Sequence, residues 1–137
     1  DIRAAYDTVC REFAEYYTED KVQSAFANIF SGKILSMPVS SIKSSGYVID
    51  TLEAVLWCIF HTTTYKDAVL TAVNLGDDTD TVGAITGGIA GIIHGLDDIP
   101  KGWISKLVNK MMVFNAASDL YKRCNKDNII DNLDFSV

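Results

Sequence analysis

Residues 74–95 read NLGDDTDTVGAITGGIAGIIHG, and this is the most informative stretch of the chain. It contains three carboxylates within four residues, at Asp77, Asp78 and Asp80. Behind these acids glycine recurs at every fourth position, at Gly83, Gly87, Gly91 and Gly95. Residues spaced by four lie on one face of an α-helix. The pattern therefore predicts an acidic loop followed by a helix that ends at about His94, with Gly95 as its C-terminal cap.

So many glycines inside one helix need a physical reason. Each interior glycine costs about 1 kcal/mol relative to alanine in a helix. A stripe of glycines can offset this cost because it lets a neighbouring helix approach the backbone closely. A helix packed closely against its neighbour would hold the loop at its N-terminus rigidly, as a metal site requires.

The acidic loop is a candidate site for a hard cation. Packed together, its carboxylates would raise one another's pKa unless a cation lay among them. Carboxylate and hydroxyl oxygens suit Mg²⁺ or Mn²⁺. Asp78 and Asp80 can point at one position in a turning segment, with the Thr81 hydroxyl beside them. The alternative, that these residues only cap the helix and complement its dipole, stays open.

Two other motifs fit the acidic loop less well. An EF-hand loop needs a glutamate at its twelfth position, and neither register of this stretch supplies one. Residues 78–82 match the D-x-D-x-T/V motif of haloacid-dehalogenase phosphatases literally. That motif follows a buried parallel strand, whereas residues 65–74 have helical spacing and no βαβ alternation follows.

The rest of the chain also has helical apolar spacing. It predicts an all-α fold with further helices at about residues 6–17, 22–30, 47–60 and 65–74, and a long helix from Trp103 through Tyr121. Residues 31–46 are predicted to form an irregular connection, and residues 97–100 a turn. No strand pattern, repeat or clear linker appears, so residues 1–137 are interpreted as a single domain.

Composition narrows the possible functions. The net charge of −6 argues against a nucleic-acid surface. The three cysteines form no CxxC pair, and Cys10 and Cys58 are interpreted as small buried residues in a reducing compartment. The first residues carry no signal-peptide pattern, and the longest apolar stretch, residues 82–96, is too short to span a bilayer. We therefore expect a soluble, cytoplasmic protein that does not bind membranes.

Three segments together resemble the ADP-ribosylglycohydrolase family. The first is residues 74–95, with the acidic loop and the glycine helix, in which Asp77 stands where a second glycine is usual. The second is Ile99-Pro100 with Trp103, similar to an I-P-x-x-W segment. The third is residues 45–57, SGYVIDTLEAVLW, which resemble the family's glycine-led helix. Their order and spacing agree over about residues 44 to 108.

The resemblance implies a compact multi-helix domain of which this chain is the C-terminal portion. It implies two Mg²⁺ ions, or Mn²⁺, held by Asp78, Asp80 and Thr81. Substrate would lie beside the residues Ser45, Gly46 and Tyr47. From the residues alone, Tyr47 is equally interpreted as a core aromatic in the first turn of its helix, and Ser44 or Ser45 as that helix's cap. Asp50 and Glu53 are weaker candidates for a catalytic acid, because they lie within the helix with no converging partner.

The implied reaction is hydrolysis of the bond between ADP-ribose and a protein side chain or small acceptor. The family's G-D-x-x-G and T/D-D-T segments, which supply further metal ligands, do not occur here. We therefore expect the N-terminal half of the domain, possibly a separate chain, as a partner, and no activity without it. Two alternatives stay open: a non-catalytic, crystallin-like or ADP-ribose-binding relative on the same fold, and an unrelated helical module.

Overall fold

The computed structural model describes residues 1–16 and 19–124, and these form helices and connections without a strand. The all-α prediction is thereby confirmed for the described part of the chain. The helices are α1 (Ile2–Tyr16), α2 (Asp20–Ala25), α3 (Ala27–Phe30), α4 (Val48–His61), α5 (Tyr65–Asn74), α6 (Thr79–His94), α7 (Lys101–Lys106) and α8 (Lys110–Cys124). Short 3-10 turns lie at Lys33–Leu35, Val39–Ser41 and Leu96–Asp98. Within the described residues, no helix is long and apolar enough to cross a membrane.

The chain divides into two compact units. The first is Asp1–Ile99, which contains α1 to α6, and the second is Pro100–Val137, described as far as residue 124. The first unit carries the acidic loop and the segment that precedes α4. The interpretation of residues 1–137 as a single domain stays a prediction.

The core of the first unit lies where α4 packs against α5, α6 and the 3-10 turn at Lys33–Leu35. Its completely buried side chains include Ile34, Ala54, Val55, Cys58, Ala72 and Val82. Fully burying one large aliphatic side chain contributes about 1.5–3 kcal/mol. Helix α6 is therefore fixed in the unit by apolar packing along its inner face.

Tyr6 joins α1 to the end of α3. Its hydroxyl donates a hydrogen bond to the carbonyl of Ile29, and its ring meets Phe60 edge-on at 5.1 Å between centroids. Burial, with the neighbouring Cys10 as a smaller cause, raises the pKa of Tyr6 to about 12. The tyrosine therefore stays neutral and keeps its donor role at any physiological pH.

Trp57 joins the irregular connection to α4. Its indole N–H donates to the Met37 carbonyl at 2.8 Å, and its ring stacks on His61 at 4.3 Å between centroids. Trp57 is only 8% exposed. The predicted irregular segment at residues 31–46 is confirmed, and its 3-10 turn at Lys33–Leu35 packs against α4.

The glycines of α6 serve different purposes. A Cβ on Gly83 would lie 2.9 Å from the Val73 side chain, and one on Gly87 would lie 3.3 Å from the Tyr65 hydroxyl. Close packing against α5 therefore explains these two positions, as predicted. A Cβ on Gly88 would meet no described atom within 4 Å. Gly95 has a φ of +78° and ends the helix, as its position predicts.

Two predicted helices are interrupted. The segment at residues 22–30 forms α2 and α3, because Phe26 leaves the helical conformation with φ −97° and ψ 12°. The long helix predicted from Trp103 is broken between α7 and α8, where Leu107 is extended and Asn109 has a φ of +56°. Apolar spacing continues across both breaks, so periodicity alone did not reveal them. Tyr17, predicted to extend the first helix, lies outside the described residues.

A methyl group added at a tightly packed glycine of α6 and one added at an open glycine should have opposite effects on stability. Gly88→Ala gains the helix propensity of alanine and meets nothing, whereas Gly83→Ala must displace the stiff Val73 side chain. We expect Gly88→Ala to be more stable than Gly83→Ala by about 1–3 kcal/mol. Urea unfolding of both variants measures the difference, and equal stabilities would contradict the packing described for α5 and α6.

The buried thiol of Cys58 should be chemically inert. It has no exposed surface, and burial raises its pKa to about 11. Because the thiolate is the reactive form, we expect iodoacetamide at pH 8 to modify the exposed Cys124 first and Cys58 only after unfolding. Mass spectrometry of timed digests gives the order, and early labelling of Cys58 would contradict the core assignment.

Candidate functional site

A sharp turn between α5 and α6 presents the acidic loop. Gly76 and Asp77 both have positive φ angles, of 91° and 51°. Glycine adopts such angles freely, and aspartate is among the few other residues that tolerate them. The conformation explains why a glycine would suit position 77. The sequence carried no signal for the left-handed backbone of Asp77.

Asp78 occupies the N-cap position of α6 without acting as a side-chain cap. Its carbonyl accepts the N–H of Val82 at 3.2 Å, but its carboxylate makes no capping hydrogen bond. The purely capping interpretation is therefore wrong for Asp78. Its side chain is half-buried.

Asp80 follows Asp78 in the first turn of α6. Hydrogen bonding with the Asp78 side chain, followed by the backbone N–H groups of Thr81 and Asp80, holds the pKa of Asp80 below its ordinary value. Asp80 and Thr81 are both exposed. The assignment of Asp78, Asp80 and Thr81 as metal ligands stays a prediction.

Ser44 links this loop to the segment before α4. Its hydroxyl donates to the Gly76 carbonyl at 2.9 Å, and its carbonyl accepts the Asp78 N–H at 3.0 Å. Ser44 is only 2% exposed. Its predicted role as a cap of α4 is wrong, because its side chain faces the other loop. A serine-rich segment carries no sequence signal for such a long-range bond.

The same link brings Gly46 beside Asp78. A Cβ on Gly46 would lie 3.4 Å from the Asp78 carboxylate, and glycine leaves that space open. The two groups of residues predicted separately, Ser45 to Tyr47 and Asp78 to Thr81, are therefore neighbours.

The backbone of the segment before α4 is fixed by Ser45. Its hydroxyl donates to the Asp50 carboxylate at 2.6 Å and accepts the Tyr47 N–H at 3.2 Å. Its carbonyl accepts the Thr51 hydroxyl at 3.1 Å. Tyr47 itself is 59% exposed, so its interpretation as a core aromatic is wrong. Asp50 acts here as a structural partner of the segment.

The remaining acidic candidate lies in a different contact. Glu53 accepts a hydrogen bond from the Asn28 side-chain amide at 3.0 Å. Among the described residues, no three His, Cys, Asp or Glu side chains come close enough together to hold a metal ion. The acidic loop therefore offers a pair of carboxylates with a neighbouring hydroxyl, not a closed cage.

The Ser44 link should be measurable in stability. Ser44→Ala leaves the Gly76 carbonyl without its hydroxyl donor, and we expect the free energy of unfolding to fall by about 1 kcal/mol. Ser36→Ala is the matched control, because the Ser36 hydroxyl also donates to a carbonyl but is exposed, so water can replace it. Equal losses in the two variants would contradict a special role for Ser44.

Comparisons with known proteins identify the family of this chain. The ADP-ribosylglycohydrolase family model matches residues 1–129. An ADP-ribosylarginine hydrolase, Tri1, of Serratia proteamaculans (strain 568) is 47% identical over 93 residues, which are 68% of this chain and 25% of that protein. Its namesake from Pseudomonas putida (strain GB-1) is 37% identical over 106 residues, 77% of this chain and 28% of the relative.

The name of a third relative specifies a different substrate. The ADP-ribosyl-[dinitrogen reductase] glycohydrolase of Rhodospirillum rubrum is 48% identical over 69 residues, covering 50% of this chain and 24% of that protein. The chain thus spans about a quarter of the length of the curated relatives that it matches. With a family match over nearly all of its residues, the chain belongs to the ADP-ribosylglycohydrolase family.

Proposed function

We propose that this chain contributes to a Mg²⁺-dependent enzyme that hydrolyses the glycosidic bond between ADP-ribose and a protein side chain. The observation that carries the proposal is the position of Gly46, which leaves open the space beside the Asp78 carboxylate at the N-terminus of α6. The influence of Asp78 on Asp80, which lowers the pKa of Asp80, is consistent with it. The names of the relatives support the reaction class. Two of the three name arginine as the modified residue, so ADP-ribosylarginine is the first substrate to test.

The donor set of the loop fits Mg²⁺. The Asp78 carboxylate is not used in helix capping, and Asp80 and Thr81 present their side chains to solvent. All three would bind through oxygen, which Mg²⁺ prefers and Mn²⁺ accepts. When bound, such an ion orients hydroxyl groups of the substrate and lowers the pKa of a water molecule.

The residues before α4 suit substrate positioning. The hydrogen bonds of Ser45 hold the backbone in place. The exposed Tyr47 side chain therefore extends from a fixed backbone position beside the acidic loop. Gly46 keeps the space next to Asp78 free of a side chain. We propose that Ser45, Gly46 and Tyr47 line the substrate side of the site, with the ring available to pack on a sugar or base.

The chain would need further ligands for a complete site. Asp78, Asp80 and Thr81 supply three oxygen donor groups, whereas Mg²⁺ requires near-octahedral coordination and two ions are expected. The curated relatives are about four times as long as the stretches they share with this chain. We propose that the remainder of the domain, in the same polypeptide or in a separate chain, supplies the missing ligands and the catalytic acid. The net charge of −6 supports a protein or nucleotide-containing partner over nucleic acid.

An assay with and without the rest of the domain tests this proposal. The 137-residue chain should not hydrolyse ADP-ribosylarginine with Mg²⁺ present. For the complete domain we use a chimera, the Serratia proteamaculans relative in which this chain replaces the stretch that it matches. We expect the chimera to be active, and Asp80→Asn to lower its kcat/KM by roughly 100-fold or more, since even an outer partner of a metal ligand costs 10–100-fold.

Asp97→Asn is the matched control, because Asp97 is an exposed acid at the opposite end of α6, in the turn that follows it. It should leave kcat/KM unchanged. Turnover by the isolated chain would contradict the need for the remainder of the domain. Full activity of Asp80→Asn would contradict the metal-binding role, and an inactive but folded chimera that still binds ADP-ribose would favour the non-catalytic alternative.

A further inference from the structure

The outward face of α6 is an exposed apolar strip. It consists of Ala84, Ile85, Gly88 and Ile92, which follow one another at helical spacing and are all exposed; we call it the outer strip. Ile85 is 43% exposed and Ile92 is 87% exposed. Residues 82–93 contain no charged or amide side chain. A helix that is apolar on all sides is normally buried on all sides.

The opposite face of α6 is already occupied. Val82 and Ala90 are completely buried, and Gly83 and Gly87 lie against Val73 and Tyr65 of α5. The packing within the first unit therefore accounts for the inner face alone. It gives no reason for large aliphatic side chains on the outer strip.

Gly88 is an independent sign that something approaches the outer strip. A glycine within a helix weakens it relative to alanine. At Gly83 and Gly87 the close contacts of α5 account for that weakness, whereas a Cβ on Gly88 would meet no described atom within 4 Å. A glycine beside exposed isoleucines is what a second helix needs to approach the backbone closely.

We propose that the outer strip is the docking surface for an apolar helix from the remainder of the ADP-ribosylglycohydrolase domain. The length of the relatives outside the matched stretches argues for that occupant, because those stretches are only 24–28% of the curated relatives. The strip also begins one turn beyond Asp80 and Thr81. A helix packed on it brings its own residues beside the acidic loop. In this respect the inference rests on the proposed function, which needs ligands from the same source.

Thiol accessibility tests the docking surface directly. Ile92→Cys is prepared in a Cys124→Ser background, both in the 137-residue chain and in the chimera described above. Lys66→Cys is the control, because Lys66 is an exposed charged residue on α5 and is not expected to enter an apolar interface. In the isolated chain both thiols should react with a maleimide at similar rates. In the chimera the rate at position 92 should fall by roughly 100-fold or more relative to position 66.

Gly88→Ala gives a second measurement that does not depend on labelling. It should raise the Tm of the isolated chain by about 4 °C, because alanine is the better helix former and the space is open. In the chimera it should lower the Tm, because the added methyl group would obstruct the packed helix. Opposite signs in the two proteins support the proposal, and an increase in both overturns it.

The remaining outcomes separate this inference from the proposed function. Rapid labelling of position 92 in the chimera overturns the docking surface, even if the chimera hydrolyses ADP-ribosylarginine. Protection of position 92 in a chimera without activity supports the docking surface while the proposed function fails. Protection that already appears in the isolated chain overturns the proposal, and its dependence on concentration would identify a second copy as the occupant.

Discussion

The site depends on the pair of hydrogen bonds made by Ser44. Its hydroxyl and its carbonyl bind two points of the loop before α6, Gly76 and Asp78, so the loop cannot shift without breaking both bonds. Because Ser44 is almost completely buried, water cannot easily replace these partners. This link places Gly46 next to Asp78. It thereby joins two segments that are more than thirty residues apart in sequence.

The two faces of α6 have different roles. Its inner face fixes it against α4 and α5, and glycine at two positions allows α5 to come unusually close. The N-terminus carries the acids, and its position is therefore as rigid as the core beneath it. The packing within the first unit does not explain the apolar composition of the outer strip. Helix α6 thus combines a buried inner face, an N-terminus that carries acidic residues, and an exposed apolar outer face.

Sequence reasoning predicted the helical class and the bounds of α5, because these depend on short-range spacing. It failed where a single backbone angle decides the outcome. Phe26 and Asn109 interrupt helices although the apolar period continues through them. It also misassigned Ser44, because the carbonyl of Gly76 is near in space but distant in sequence. The sequence left Tyr47 open between a residue beside the substrate and a core aromatic, and its exposed position in the structure rules out the core aromatic.

The placement of the two tryptophans has a practical consequence for spectroscopy. Trp57 lies in the first unit, shielded from water, hydrogen-bonded to Met37 and stacked on an imidazole ring. Trp103 belongs to the second unit and is 37% exposed. Each unit consequently carries one tryptophan in a distinct environment, with a bluer emission from the shielded indole. Replacing Trp103 with phenylalanine leaves Trp57 as the single tryptophan, on the unit that carries the acidic loop, so the unfolding of that unit can be followed by tryptophan emission without an attached dye.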